Sequence, residues 1–380
     1  MKILVIPSWF PSVKNPIWGD YLIKQACELS KLAEVNMLHV NRRGFKEFIR
    51  GSKKYQKDGF DDKRFGFGFY QISILNLKAI NVTLSFYLYA FFAYRVFKKM
   101  KRVIGKPDVI VAQSILPAGL AARYISKKEK IPYVIHEHSI NVLEHYGKYA
   151  PKLLENSSGV FAVSEVVKRK LTEFSDKEVV IVPNFIDVKS FDVERKSHDT
   201  FNLISIANFY KVKALEVLIE AMSILVEQYD MKNIRLNIVG TGEYEDYYKL
   251  AAKKFKMEQY VNFTGYLTKE KIIEYMKISD LLCVSSRGET FAIPVIEALA
   301  CGIPVISTKC GGPEEMINDE IGVLVSVDDP QEYAKGILKI YHNYDFFDSG
   351  KLKDYVFKRY DKKVIGEKFI NELKKTLDDA

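Results

Sequence analysis

Two α/β domains, each a parallel sheet with helices packed on it, are predicted, and three observations carry the prediction. Short, continuous apolar runs alternate with helical patterns, as buried parallel strands and crossover helices do. At 380 residues the chain is too long for one ordinary core and fits two domains of nearly equal size. The stretch Ser285 to Glu315 reads as a loop, helix, strand and turn that carries two carboxylates, directly after a short apolar run.

Taken in order, Lys2 to Pro7 is a buried strand and about Asp20 to Leu32 a helix. The loop between them, Ser8 to Asp20, contains Gly19, which permits close backbone approach. Val35 to Val40 is the second strand. Arg42 to Arg64 holds nine Lys or Arg and four Asp or Glu. It is too polar to bury and reads as a mobile basic loop. Val82 to Met100 is an aromatic helix with a basic end, its apolar part too short to span a membrane. It is expected to pack on the sheet, with part of its aromatic face left beside Lys98, Lys99, Lys101 and Arg102. Pro107 to Ser114 is a central strand, followed by a Gly/Ala-rich helix through Tyr124. Ile131 to Ser139 is strand then loop, with His136, Glu137 and His138 at its C-terminal end, where open α/β sheets bind ligands. His-x-His also suits a metal, but there is no third ligand at a recognisable spacing and no HExxH, so no metal site is predicted. Gly159 to Glu165 and Val179 onward supply the closing strands. Pro183-Asn184 then enters a linker, with His198 at the hinge.

The second half opens with the strand Phe201 to Asn208, the segment Phe209 to Lys213 and a helix to Tyr229. Ile234 to Phe255 is strand, Gly240-x-Gly242 turn and helix. As a dinucleotide fingerprint this is weak, because the third glycine and the following acidic residue are absent. Val261 to Ser279 is strand, turn at Tyr266 and helix. Asp280 to Val284 is a strand. Pro294 suits a first helical turn, where a missing N–H costs nothing. That helix runs through Glu297 and Ala300 and stops near Gly302. Val305 to Ser307 is a strand and Gly311-Gly312 a turn. Glu289 lies on the loop before the helix and Glu297 in its first turn. A helix N-terminus suits an anionic or polyhydroxyl ligand, and carboxylates accept hydrogen bonds from vicinal hydroxyls such as those of a ribose or hexose. The expected division is 1–195, 200–350 and a helical segment 351–380, with one helix from about Lys351 to Leu377.

Glu289-x7-Glu297, followed by ALACGIPVIST (Ala298 to Thr308) and a Gly-Gly turn, resembles the retaining glycosyltransferases of family 4. The resemblance is strong from about Phe201 to Val325 and looser before it. It implies the GT-B fold, two Rossmann-like αβα domains facing across a cleft, with a C-terminal helix crossing back to the first. It further implies transfer of a hexose or N-acetylhexosamine from a UDP- or GDP-sugar to a saccharide or lipid-linked saccharide, without metal or cofactor. By the same resemblance Glu289 would hold sugar hydroxyls beside the N–H groups of Phe291, Ala292 and Ile293, and Glu297 the ribose. Lys213 takes the place of a diphosphate-binding lysine. Asn208 stands where an arginine is common, a departure for which Lys211 is the compensating candidate. Gly240 and Gly242 would form the nucleotide-binding turn, and the backbone at Tyr266 and Leu267 would receive the base. The loop with Gly19 would face diphosphate and acceptor. His138 best matches the family's histidine near the anomeric centre, with His136 in reserve. The residues assigned to the chemistry are thus His138, Lys213 and Glu289.

Charge is unevenly placed. Residues 1–199 hold 33 Lys and Arg against 20 Asp and Glu, a balance of +13, while the remainder carries −4. Two surfaces with different partners are expected. The basic loop is either a solvated face or a contact with acceptor or an anionic membrane; nucleic acid is not an expected partner. Cys27, Cys283, Cys301 and Cys310 show no CxxC pairing and read as reduced thiols in the cytosol. No D-x-D triplet occurs, which argues against a metal-bridged diphosphate. Two alternatives share the features: a GT-B nucleotide-sugar epimerase, and a sugar-binding protein without catalysis.

Overall fold

The structure is a computed structural model whose described residues are 1–11, 19–43, 59–61, 65–76, 81–194 and 199–378. Most of the basic loop at 42–64, the middle of the loop before Gly19, and His198 lie outside the described residues. The chain divides into two compact units, Met1–Asn184 with Lys362–Ala380, and Phe185–Asp361.

The first unit carries β1 (Lys2–Pro7), β2 (Glu34–Arg43), β3 (Gly59–Asp61), β4 (Gly68–Leu75), β5 (Val109–Gln113), β6 (Tyr133–Glu137), β7 (Gly159–Ala162) and β8 (Val179–Ile181). They form one sheet in the order β3-β4-β2-β1-β5-β6-β7-β8, parallel except where β3 meets β4. β5 and β6 are buried along their whole length, which explains their unbroken apolar runs. The chain leaves β1 for β2 on one side and returns to β5 on the other. This is the order reversal beside which α/β sheets open a crevice at their C-terminal strand ends. The helix Val82–Ile104 is capped by the Asn81 side chain, which accepts from Leu84 N at 2.9 Å. It packs on β2, β4 and the helix Leu120–Glu129. Phe86, Tyr89, Val96, Phe97 and Met100 are buried, whereas Leu84, Tyr87 and Phe91 are exposed.

The second unit carries β9 (Phe201–Ile206), β10 (Ile234–Val239), β11 (Val261–Gly265), β12 (Leu281–Val284), β13 (Val305–Thr308) and β14 (Gly322–Val325). Their order, β11-β10-β9-β12-β13-β14, is parallel throughout and reverses at β9 and β12. Its core joins Leu203, Leu218, Met222, Leu236, Ile238, Ile306, Tyr333 and Ile337, all without exposed surface. Each such aliphatic side chain contributes about 1.5–3 kcal/mol.

The C-terminal segment departs from expectation. In place of one helix there are two, Ser349–Tyr360 and Lys362–Asp378. Asp361 between them is extended (φ −67°, ψ 141°), 4% exposed and bridged in parallel to Ile186, whose N–H donates to Tyr360 O at 3.1 Å. The first helix belongs to the second unit, where it packs on Ile293–Ala300; only Lys362 onward belongs to the first unit. The division after Asn184 likewise falls earlier than the expected 195–200.

Candidate active site

The loops that follow β9 and β12, at the order reversal of the second unit, converge on Lys213 and Glu289. After β9, Lys211–Lys213 form one 3-10 turn, and Ala214 takes a left-handed conformation (φ 46°) before the helix Leu215–Gln228. After β12, Ser285 Oγ donates to Lys213 O at 2.9 Å, and Arg287 N donates to Val212 O at 2.7 Å. Arg287 also donates to Lys211 O and pairs with Glu216 and Asp328, all within 2.7–2.9 Å. So pinned, Lys213 Nζ lies 2.5 Å from Glu289 Oε1, with the two side chains only 19% and 15% exposed. Ser286 Oγ donates to the same oxygen at 2.7 Å. Glu289 Oε2 has no protein partner among the described residues. This leaves one carboxylate oxygen for hydroxyls and two Lys213 hydrogens for an anion.

Glycines let the neighbouring turns close on this pair. A Cβ on Gly240 (φ 138°) would stand 1.8 Å from Ala207 O, one on Gly242 2.6 Å from Phe209 O, and one on Gly312 2.6 Å from Phe291 N. Glu289 bridges to Gly311 through Glu289 N→Cys310 O and Gly312 N→Glu289 O, both 2.8 Å. The helix Ile293–Ala300 starts at a left-handed Ala292 (φ 68°) and has no side-chain cap. Pro294 has no N–H and Val295 N donates to Ala292 O at 3.0 Å, so at the helix start it is the Ile293 N–H that is left for solvent or a ligand.

The first unit has its own polar cluster where β1, β5 and β6 end. Gly19 (φ 81°) opens the helix Asp20–Leu29, and a Cβ there would meet Trp9 backbone at 2.8 Å. Glu137 is fully buried and accepts from Ser114 Oγ (2.9 Å), Ile115 N (2.8 Å), His138 N (2.8 Å) and Ser139 N (3.1 Å). Burial nevertheless raises its carboxyl above the ordinary range. His136 has no exposed surface and meets Val182 O through Nε2 at 2.9 Å; burial pushes it down to about 4. His138 is 6% exposed and meets Gln113 Oε1 through Nε2 at 2.7 Å. Burial, with His136 beside it, holds His138 well below the usual histidine range.

Residues 188–357 match the family model of glycosyl transferases group 1, and residues 59–190 that of glycosyltransferase family 4. The chain belongs to glycosyltransferase family 4. TuaC of Bacillus subtilis (strain 168), named as a glycosyltransferase of teichuronic acid biosynthesis, is 26% identical over 372 residues, 90% of each chain. The N-acetyl-alpha-D-glucosaminyl L-malate synthase of Bacillus anthracis is 29% identical over 244 residues, 59% of this chain and 61% of that one. Among solved structures, HepE of Anabaena in complex with UDP has a TM-score of 0.75 at 18% identity, covering 99% of this chain and 100% of HepE. That likeness is one of fold, GT-B with two parallel-sheet Rossmann-like domains.

In this glycosyltransferase the predicted residues of the second unit gather at the C-terminal ends of its strands: Asn208 and Lys213 after β9, Gly240 and Gly242 after β10, Tyr266 and Leu267 after β11, Glu289 after β12. Phe291 is buried, Ala292 and Ile293 lie at the helix start, and Asn208, Lys211 and Tyr266 are exposed. One placement needs correction. Glu297 is the fifth residue of Ile293–Ala300, in its second turn, because the helix starts at Ile293. Sequence reasoning missed Ser285, Ser286 and Arg287. They stand in the quoted stretch, but only the meeting of two loops shows what they hold. Arg287 does not replace the arginine absent at Asn208, since its guanidinium is spent on Glu216, Asp328 and Lys211 O.

The two buried histidines make the enzyme acid-sensitive. In the unfolded chain both titrate near the ordinary histidine value of about 6.5, and burial brings His136 down to about 4 in the fold. Between these values the unfolded chain binds more protons, so stability is full above pH 6.5 and falls toward pH 4. Glu137, its pKa raised by burial, acts in the opposite sense, so a variant isolates the histidine part. His136→Gln keeps a donor for Val182 O. The wild type should lose about 3 kcal/mol more than this variant between pH 7 and pH 4 in urea titrations. Equal losses would mean that His136 is not held neutral.

Proposed function

We propose that the protein is a retaining glycosyltransferase that moves a hexose or N-acetylhexosamine from a UDP- or GDP-sugar to a hydroxyl of a saccharide or lipid-linked saccharide. The observation that carries this is Lys213 pinned to Glu289 beside an uncapped helix N-terminus, at the order reversal of the second unit. A cation and a free N–H group suit a diphosphate, and a carboxylate oxygen without a partner suits sugar hydroxyls. As the bond from anomeric carbon to diphosphate oxygen breaks, charge grows on that oxygen, and Lys213 with the loop N–H groups opposes it without a metal. The departing oxygen takes the acceptor's proton, and the acceptor oxygen bonds to the anomeric carbon on the same face. Glu297 would bind the ribose and the backbone at Tyr266 and Leu267 the base. The UDP complex of HepE supports a uridine donor, and the name of TuaC supports bacterial surface polysaccharide as the setting.

The test is incubation with a panel of UDP- and GDP-sugars, with and without saccharide acceptors, followed by analysis of nucleotide and donor. Free nucleoside diphosphate from one donor, increased by acceptor, is expected. An epimerised donor without release, or no change with any donor, would contradict the reading.

We propose, further, that the protein works in the cytoplasm, in peripheral contact with the inner membrane face. Among the described residues no helix is long and apolar enough to cross a membrane. On the helix Val82–Ile104, however, exposed Leu84, Tyr87 and Phe91 run in line with exposed Arg95, Lys98, Lys99 and Arg102. Each basic residue contributes about 1 kcal/mol near an anionic leaflet. Flotation on anionic vesicles should exceed that on neutral ones and fade with salt. Equal recovery on both would sink the idea.

A further inference from the structure

A partly buried cation of the first unit has no anion to match it among the described residues. Arg42 is next to last in β2, at the C-terminal end of the first sheet, where open α/β sheets bind ligands. Its guanidinium carbon stands 5.7 Å from the centre of the Tyr89 ring. That ring is fixed at the end of β1, because Tyr89 Oη donates to Pro7 O at 2.9 Å. The groups that act on the charge of Arg42 are the phenols of Tyr89 and Tyr146, with no carboxylate among them. Burial pulls Arg42 below the ordinary arginine range, yet a guanidinium stays charged in a protein. Its nitrogens make no hydrogen bond or ion pair among the described residues, and they keep surface that a ligand can meet. Arg287 shows the usual arrangement, with Glu216 and Asp328 both on its guanidinium. A cation drawn out of water without a countercharge is costly, and an oxyanion on its N–H fork offsets that cost.

We propose that Arg42 receives a singly charged oxyanion of the acceptor, a uronate carboxylate or a phosphodiester, and so selects acidic acceptors. The proposal rests on the transferase reading, with the acceptor held by the first unit. The size of the charge follows from the surroundings. Arg42 is one cation, and no second cation acts on it among the described residues. It therefore matches one negative charge, whereas a phosphate monoester carries about −1.5 to −2. The N–H groups of a guanidinium form a planar fork that fits two oxygens of either group. Tyr89 and Tyr146 belong to two different helices, Val82–Ile104 and Ile140–Tyr146, so only the fold brings their phenols to the end of β2.

Binding can be read without transfer. The probes are methyl glucoside, its uronate and its methyl phosphodiester, which differ only in the charged group. In calorimetry on the full-length protein, at least one charged probe should bind about 10-fold or more tighter than the neutral glucoside. The charged probe that binds better identifies the group. In Arg42→Gln the preference should vanish. Arg42→Lys keeps the charge without the fork and should retain only part of it. In the transfer assay the same loss should fall on the KM of the charged acceptor, with donor KM unchanged. No preference in the wild type would overturn the proposal, as would a preference that survives Arg42→Gln or wild-type affinity in Arg42→Lys. If Arg42→Gln does not fold, Arg42→Lys decides. Failure of every donor to release nucleoside diphosphate would instead sink the transferase reading, and the binding preference would still be measured.

Discussion

Lys213→Ala is expected to lower kcat by about 10²–10³-fold and to weaken binding of the nucleoside diphosphate. Charge is already present on the diphosphate when it binds and grows as the glycosidic bond breaks, so one lysine acts in both states. The variant loses on a second count. Glu289, only 15% exposed, would keep its carboxylate without the cation 2.5 Å away, in the region proposed for the diphosphate. Lys213→Ala/Glu289→Gln removes that repulsion. Diphosphate affinity should recover in part, while kcat stays low because the sugar has lost its carboxylate. Steady-state kinetics and calorimetry on the two variants check this. Wild-type kcat in folded Lys213→Ala would take Lys213 out of the chemistry.

Glu297→Ala is expected to weaken nucleoside diphosphate binding by about 1.5–3 kcal/mol, as for hydrogen bonds to a charged group. The residue is partly buried on the helix Ile293–Ala300. Its loss should therefore appear as a higher donor KM with kcat little changed, the signature of binding shared by ground and transition states. Unchanged affinity in the folded variant would remove Glu297 from the ribose site.

How much of this was legible depends on how local each feature is. Strands such as Leu281–Val284 and Val305–Thr308 are buried on both faces, so their apolar runs announce them. Pro294 and Gly302 mark the ends of a helix because backbone chemistry requires them there. Lys213 and Glu289 were each assigned by resemblance, but their contact across 76 residues depends on which two loops meet at β9 and β12. Ser285, Ser286, Arg287 and Gln113 were unreadable for the same reason, since a polar side chain at the end of an element has no local signal of its partner. The break at Asp361 has no signal in the apolar pattern, because Val356, Tyr360 and Val364 keep helical spacing across it; it follows from the two helices burying their faces in different units.

The central claim is same-face transfer from a nucleotide-sugar, and the anomeric configuration of the first product tests it most directly. With the donor selected from the panel, proton NMR during the early reaction reports the configuration before any mutarotation. From an α-linked nucleotide-sugar the account predicts an α-glycoside. A β-glycoside would contradict it, and would require a base on the face opposite the departing diphosphate.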